Sequence, residues 1–289
     1  MQPRLFHLHA LSALHCGTGQ STGVVDLPIA RARATQLPIV PGSSLRGVLR
    51  QQVAERDAPA ARLLFGPEAG PGKTDTFAGA LAVGDAQLLT LPVRALAGIV
   101  CFATSPFVLR RYAQDLGRAA PPLPTGPGDE NALVATGSKN LLDGKLVLED
   151  LDLTAQEDPK VTAWAQIIAR TLHPADADGQ MDFVQRFALL PDDIFGFLAE
   201  TATEVRARIA IDDKTGTVKN GALWYEENLP AESVLWGIYA LSGSNDATDR
   251  RPAKDLAPCL PATGTLMQLG GKAGVGRGLV RFLTKETAE

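Results

Sequence analysis

The chain has 289 residues, long enough to bury a sizeable core, and its 45% hydrophobic content is ordinary for a soluble globular protein. A net charge of −4 and a pI near 5.6 argue against a surface that is basic overall, as nucleic-acid binders usually have, but leave room for a local basic groove. Cys16, Cys101 and Cys259 are far apart and form no CxxC pair, so neither a disulfide framework nor a zinc knuckle is expected, and a cytoplasmic location follows.

His7, His9 and His15 interrupt the apolar N-terminal run, so no signal-peptide core is expected there, and no segment is apolar for long enough to span a bilayer. Residues 5–14 read as a first strand with Phe6, Leu8 and Ala10 on one face and His7 and His9 on the other. An HxH pair without a third nearby ligand is better explained as surface or core histidines than as a metal site. His15 lies at the strand end beside a glycine-rich loop, which makes it a candidate for chemistry or phosphate contact.

Residues 14–50 carry Gly17, Gly19, Gly23, Gly42 and Gly47 and a single carboxylate, Asp26. Glycine admits close backbone approach, so the stretch reads as a ligand-facing loop, with an ordinary surface connection as the competing reading. A helix follows, with Ser43 or Ser44 as N-cap, Leu45, Val48, Leu49 and Val53 inward, and Arg46 and Arg50 spaced i, i+4. Its start is either an anion site or simple capping. Residues 66–74, GPEAGPGKT, fail the P-loop spacing and follow a helix end rather than a strand, so nucleotide hydrolysis is rejected.

Residues 78–93 and 97–103 read as core strands with turns at 84–85 and 96–98. Ser105 and Pro106 open a helix to about residue 116 that buries Val108, Leu109, Tyr112 and Leu116. The order strand, helix, hairpin, helix predicts an α+β fold with a ferredoxin-like or RRM-like core. A Pro/Gly-rich linker then begins a long insertion, 117–200, within what is otherwise a single domain. It contains a hairpin turn at Leu142, Asp143 and Gly144, a helix over 159–172 burying Val161, Trp164, Ile168 and Leu172, and a short helix at 192–200.

Residues 204–211 alternate, with Arg206 and Arg208 opposite Val205, Ala207, Ile209 and Ile211, and residues 222–227 return as a partner strand. Tyr225, Glu226 and Glu227 fall near the base of this hairpin, and 234–241 supplies a further core strand. Residues 266–278 hold Gly270, Gly271, Gly274 and Gly276 with Lys272 and Arg277. A strand follows, so a dinucleotide site is excluded, and close approach to a phosphate chain is the better reading. The paired basic residues along the chain are individually solvated faces; only convergence in space would make them a binding surface.

VVDLPI (24–29), PGSSLRG (41–47), the segment 79–109 with PVRALAG and TSPFVL, GALWYEENLP (221–230) and LGGKAGVGRG (269–278) together resemble the RAMP superfamily. More narrowly, they resemble the repeated backbone subunit of the type III-B CRISPR Cmr effector complex, with the match weakest over 117–190. The resemblance implies copies stacked head to tail along a guide RNA, alongside other Cmr subunits. A thumb-like β-hairpin, mapped to 204–225, would cross the guide–target duplex, and the complementary target RNA would be cut beside each thumb. It implies that Asp26 supplies the cleaving carboxylate, as general base or as ligand of a divalent cation (Mg²⁺ or Mn²⁺), with His15 and Glu227 as secondary candidates. Guide phosphates would be held by Ser43, Ser44, Arg46 and Arg50, by the loop with Gly270, Gly271, Lys272, Gly274, Gly276 and Arg277, and by Arg206 and Arg208. The alternatives are a non-catalytic RNA-binding backbone subunit, Csm-like or of another RAMP type, and a repeat-processing RAMP endonuclease, which the long hairpin disfavours.

Overall fold

The structure is a computed structural model that describes all residues except Met1, Thr22, Val24, 69–75, Pro127, Asp129, Glu130 and 285–289. Most of the stretch 66–74 and Val24 of the segment 24–29 therefore lie outside the described residues.

In chain order the elements are β1 (Gln2–Ala10), β2 (Ile39–Val40), α1 (Gly42–Arg56), α2 (Ala58–Phe65), β3 (Leu81–Val83), β4 (Ala86–Ala95), β5 (Ile99–Thr104) and α3 (Pro106–Leu116). The middle of the chain gives β6 (Asn131–Val134), β7 (Leu141–Leu142), β8 (Lys145–Leu148), β9 (Leu151–Glu157), α4 (Pro159–Leu172), α5 (Ala177–Val184), β10 (Phe187–Leu189) and α6 (Asp192–Thr201). The last part gives β11 (Glu204–Ile211), β12 (Val218–Asn228), β13 (Val234–Leu241), α7 (Ala253–Leu256), β14 (Thr265–Gln268) and β15 (Leu279–Thr284). The sequence predicts an α+β fold, and the chain folds as mixed helices and strands around one large sheet.

One 13-stranded sheet runs in the order β14-β15-β1-β13-β4-β5-β10-β6-β9-β8-β7, with β2 on β4 and β3 on β13. β1 ends at Ala10, four residues earlier than its apolar run suggests, because residues 11–14 leave the sheet to reach Leu229 and Leu279. Both of its faces are covered: Phe6, Leu8 and Ala10 are buried, and so are His7 and His9. His7 Nε2 meets the Tyr112 hydroxyl at 2.7 Å and His9 Nε2 meets Glu232 Oε2 at 2.7 Å, so these are core histidines with polar partners.

Two features of the sheet were not visible in local patterns. β1 does not pair with the hairpin β4–β5; β13, from late in the chain, lies between them, antiparallel to both. The segment 117–200, expected as an insertion, continues the sheet, because β10 pairs in parallel with β5 and antiparallel with β6. Its helix α4 buries Val161, Trp164, Ile168 and Leu172, as its spacing requires, and is capped by Asp158.

The start of α1 differs from the expected serine cap. Pro41 occupies the N-cap with no side-chain bond, and the first free N–H, on Gly42, donates to Asp85 Oδ1 at 2.7 Å. A Cβ at residue 42 would fall 2.6 Å from the Val83 carbonyl, so glycine lets the helix begin against the β3–β4 turn, where a neighbouring carboxylate does the capping. Ser43 and Ser44 are exposed and cap nothing. Ser105, by contrast, accepts from Val108 N, with Pro106 at the first helical position, as expected.

β11 and β12 form a separate two-stranded ribbon whose register pairs Glu204 with Asn228 and Arg208 with Trp224. Its apolar residues Val205, Ile209, Ile211, Val218 and Leu223 are exposed, so the ribbon projects rather than packs. Among the described residues no helix is long and apolar enough to cross a membrane.

Candidate functional site

The loop carrying Asp26 lies along the base of the projecting ribbon. Leu27 pairs in parallel with Glu226, its N–H donating to the Tyr225 carbonyl at 3.1 Å and its carbonyl accepting from Glu227 N at 3.0 Å. Tyr225 N then donates to Asp26 Oδ2 at 2.7 Å, and Ser21 N to the Asp26 carbonyl at 2.8 Å. One carboxylate oxygen is thus fixed by backbone, and the other has no partner among the described residues. Asp26 is half-buried at the edge of an open cleft of about 440 Å³, lined also by Gln20, Ser21, Gly221, Trp224 and Lys272.

Glu226 organises the positive charge here. It is 1% exposed and accepts from Trp224 Nε1 and Lys272 Nζ, each at 2.9 Å, with Arg208 Nε at 3.7 Å. Burial pushes its carboxyl up, but the Trp224 N–H, Lys272 and Arg208 outweigh this and hold it below its ordinary range. An ionised buried carboxylate therefore tethers two cations, Lys272 at the cleft wall and Arg208 beside it. Sequence reading placed Glu226 near the ribbon base without a role. Period-two spacing of Trp224 and Glu226, with Arg208 directly across from Trp224, is the signal that would have grouped them.

Glu227 faces the other way and does not line the cleft. Its Oε1 accepts from Arg31 at 2.5 Å and Thr203 Oγ1 at 3.1 Å, and its Oε2 accepts from Ile29 N at 3.1 Å. Both oxygens are committed to clamping the Asp26 loop. Arg31 is held further by the carbonyls of Gln36 and Ala199. His15 is likewise buried and absent from the cleft wall; its Nδ1 donates to the Glu227 carbonyl at 2.7 Å.

The 269–278 loop closes over His15. Gly271 N donates to the His15 carbonyl at 2.9 Å, Gly270 has φ 77°, and a Cβ there would collide with that same carbonyl. Lys272 also has positive φ, 68°. The glycines of this loop thus serve partly to seat Lys272 against Glu226. Gly270→Ala should cost about 1–3 kcal/mol in thermal unfolding, whereas Gly274→Ala, where an added Cβ meets nothing, should leave the melting temperature unchanged.

The other expected phosphate contacts do not join this cleft. Arg46 donates to the Phe65 carbonyl at 2.5 Å and lies 5.6 Å from the Phe65 ring centroid, tying α1 to α2. Arg50 is half-buried on α1, Arg206 is paired with Glu204 at 2.6 Å, and Arg277 is half-buried. Asp85, which caps α1, instead lines a second groove of about 410 Å³ with Arg33, Arg111 and the exposed Phe107, a basic and aromatic combination that sequence spacing did not reveal. Among the described residues no three His, Cys, Asp or Glu side chains converge as metal ligands.

The model of the RAMP superfamily matches residues 7–281. The chain is 34% identical over 291 residues to the Cmr endoribonuclease Cmr4 of Pyrococcus furiosus, covering 99% of this chain and 97% of that one. A shorter similarity, 35% over 74 residues, links 20% of this chain to 35% of the Csm3 endoribonuclease of Enterococcus italicus. The crystal structure of oligomeric Cmr4 from Pyrococcus furiosus superposes with TM-score 0.74 at 27% identity over 100% of both chains. In fold alone, a chain of the type III-B Cmr-β complex bound to cognate target RNA matches at TM-score 0.75 and 18% identity, over 98% of this chain and 97% of that one. With the family model spanning nearly the whole length and a relative matched end to end, the chain belongs to the RAMP superfamily.

Proposed function

We propose that this protein is the guide-RNA-binding backbone subunit of a type III-B CRISPR effector complex and cleaves guide-paired target RNA at regular intervals. Its partners are the guide, the complementary target, further copies of itself stacked head to tail, and other Cmr subunits. The observation that carries the reading is Asp26, held with one oxygen unpaired among the described residues at the edge of a cleft whose wall includes Lys272, at the root of a projecting ribbon. That ribbon acts as the thumb, its exposed apolar face pressing on the duplex at each step.

RNA contains its own nucleophile, the 2′-hydroxyl, so the protein need only align it with the adjacent phosphate and manage charge. Displacing one base supplies the alignment. Lys272, fixed by Glu226, neutralises a phosphate oxygen, and Asp26 accepts the hydroxyl proton or helps hold a cation. The 2′-oxygen bonds to phosphorus as the P–O5′ bond breaks, leaving a 2′,3′-cyclic phosphate and a 5′-oxygen protonated from water. The half-basic second groove with Phe107, Arg33 and Arg111, next to the start of α1, suits a guide strand read through its backbone and base faces rather than its sequence.

A divalent cation, Mg²⁺ or Mn²⁺, would be held by Asp26 together with substrate oxygens; one carboxylate is too few for a tight cage, but Mg²⁺ commonly takes one or two from protein when phosphates supply the rest. When bound it would add charge neutralisation at the scissile phosphate. Adding excess chelator to the assembled, guide-loaded complex should stop target cleavage without releasing guide RNA; cleavage at the original rate removes the cation from the mechanism. Purification should yield protein carrying small RNA, bound with a log–log salt slope of about −0.7 per phosphate contact. A monomer without affinity for RNA would overturn the whole reading.

A further inference from the structure

The turn joining β4 to β5 is more strained than a hairpin connection requires. Ile99 has φ 74°, and Val100 N donates to the Gly98 carbonyl at 2.9 Å, closing a γ-turn with positive φ at its centre, which a β-branched residue rarely adopts. Burial does not compensate: Ile99 is 82% exposed and Leu96 is 70% exposed. The turn is nevertheless pinned from below. Buried Asn140 donates to the Ala97 carbonyl at 2.7 Å and the Val100 carbonyl at 3.0 Å, and Arg186 Nε donates to the Gly98 carbonyl at 2.9 Å. Strain that the surroundings over-determine, ending in two aliphatic side chains in water, marks a contact surface.

A receptor for such a knob exists elsewhere on the chain. An apolar cavity of about 300 Å³ lies between α1 and the sheet, lined by Phe6, Leu45, Leu49, Leu81 and Phe282, with Arg4 also on its wall. Arg4 has no carboxylate partner among the described residues. Leu81 and Val83 of the cavity wall precede β4, whereas the knob follows its end, so the ten residues of β4 hold the two roughly 30 Å apart. The knob therefore cannot enter its own cavity.

Charge distinguishes between outside partners. The exposed turn holding Glu149 and Asp150 lies beside the knob, with Glu149 N donating to the Arg94 carbonyl at 3.0 Å and Glu149 Oε2 3.9 Å from Arg94 Nη1. Glu149 is offset by Arg94, whereas Asp150 has no cation partner among the described residues and complements Arg4. The geometry points to a knob-and-socket contact between copies, in which Leu96 and Ile99 of one copy enter the cavity of the next and Asp150 faces its Arg4. This rests on the head-to-tail reading above and assigns its contact: one knob and one socket at opposite ends of β4 make a heterologous interface, which propagates as an open stack.

Full-length variants test it by mass photometry or sedimentation velocity. Ile99→Asp removes the knob, and Ala262→Trp, at an exposed position on the cavity rim, blocks the socket. Each alone should need at least a tenfold higher concentration to self-associate. An equimolar mixture should form heterodimers and stop there, because only one intact knob and one intact socket remain to meet. Ile99→Gly controls for folding: it relieves the positive φ, so the melting temperature should hold or rise while stacking is lost. Stacking by Ile99→Asp or Ile99→Gly at the wild-type concentration, or a mixture that stays monomeric, overturns the contact. If those variants stack normally and still bind single-stranded RNA, the contact fails while the backbone reading stands. A wild-type protein that neither stacks nor binds RNA sinks both.

Discussion

Asp26→Asn should reduce target-RNA cleavage by about 10²–10⁴-fold, the range for removing a positioned acid–base group, while guide binding and assembly stay at wild-type levels. The separation follows from how Asp26 is held. Tyr225 N donates to Oδ2 at 2.7 Å, and the amide oxygen of asparagine can accept that same bond, so the loop keeps its place against β12. What disappears is the negative charge of the carboxylate at the cleft edge, and with it the proton acceptance or cation binding proposed for it. The measurement is the cleavage rate of a labelled target by assembled, guide-loaded complex, with guide retention followed in parallel. Cleavage at the wild-type rate would remove Asp26 from the chemistry and favour a non-catalytic backbone subunit. Loss of guide together with cleavage would instead mean that the loop had collapsed.

Legibility from sequence followed the range of each interaction. Elements set by local physics read cleanly: α4 over its full length, the cap at Ser105 and the alternating β11. The sheet order did not, because the pairing of β13 between β1 and β4 depends on residues more than 200 positions from β1, and periodicity says which face is buried but not against what. The α1 cap failed for the same reason. Serines at 43 and 44 satisfied a local rule, yet Asp85 reaches across and supplies the acceptor. At the cleft, a lone carboxylate at Asp26 and a glycine loop around Lys272 are visible in the sequence as ligand-facing loops; the resemblance implies their roles. Glu226, which joins Lys272 and Arg208, was passed over because a buried acid declares itself only through its partners. The resemblance named RNA as ligand; composition and spacing alone reached only a ligand loop.

Glu227→Ala should destabilise the protein by about 3–5 kcal/mol, as breaking one side of a buried ion pair does. Three donors lose their acceptor at once: Arg31, the Thr203 hydroxyl and Ile29 N. Arg31 keeps the carbonyls of Gln36 and Ala199 but no counter-charge, and Ile29 N–H, three residues from Asp26, is left in a buried position without a partner. Thermal or denaturant unfolding reads the stability, and cleavage by assembled complex reads the site. Glu227→Gln separates a clamp from a proton carrier. The amide still accepts from Ile29 N, so the loop stays seated, stability falls by less than in the alanine variant, and cleavage remains close to wild type at temperatures where the protein is folded. If Glu227 carried a proton in the reaction, the glutamine variant would instead lose cleavage with little loss of stability. Its distance from the reaction follows from the fold: β12 alternates, so Glu226 faces Lys272 and the cleft wall while its neighbour Glu227 faces Arg31. One strand residue sets the charge beside the cleft, and the next keeps the Asp26 loop at the edge of that same cleft.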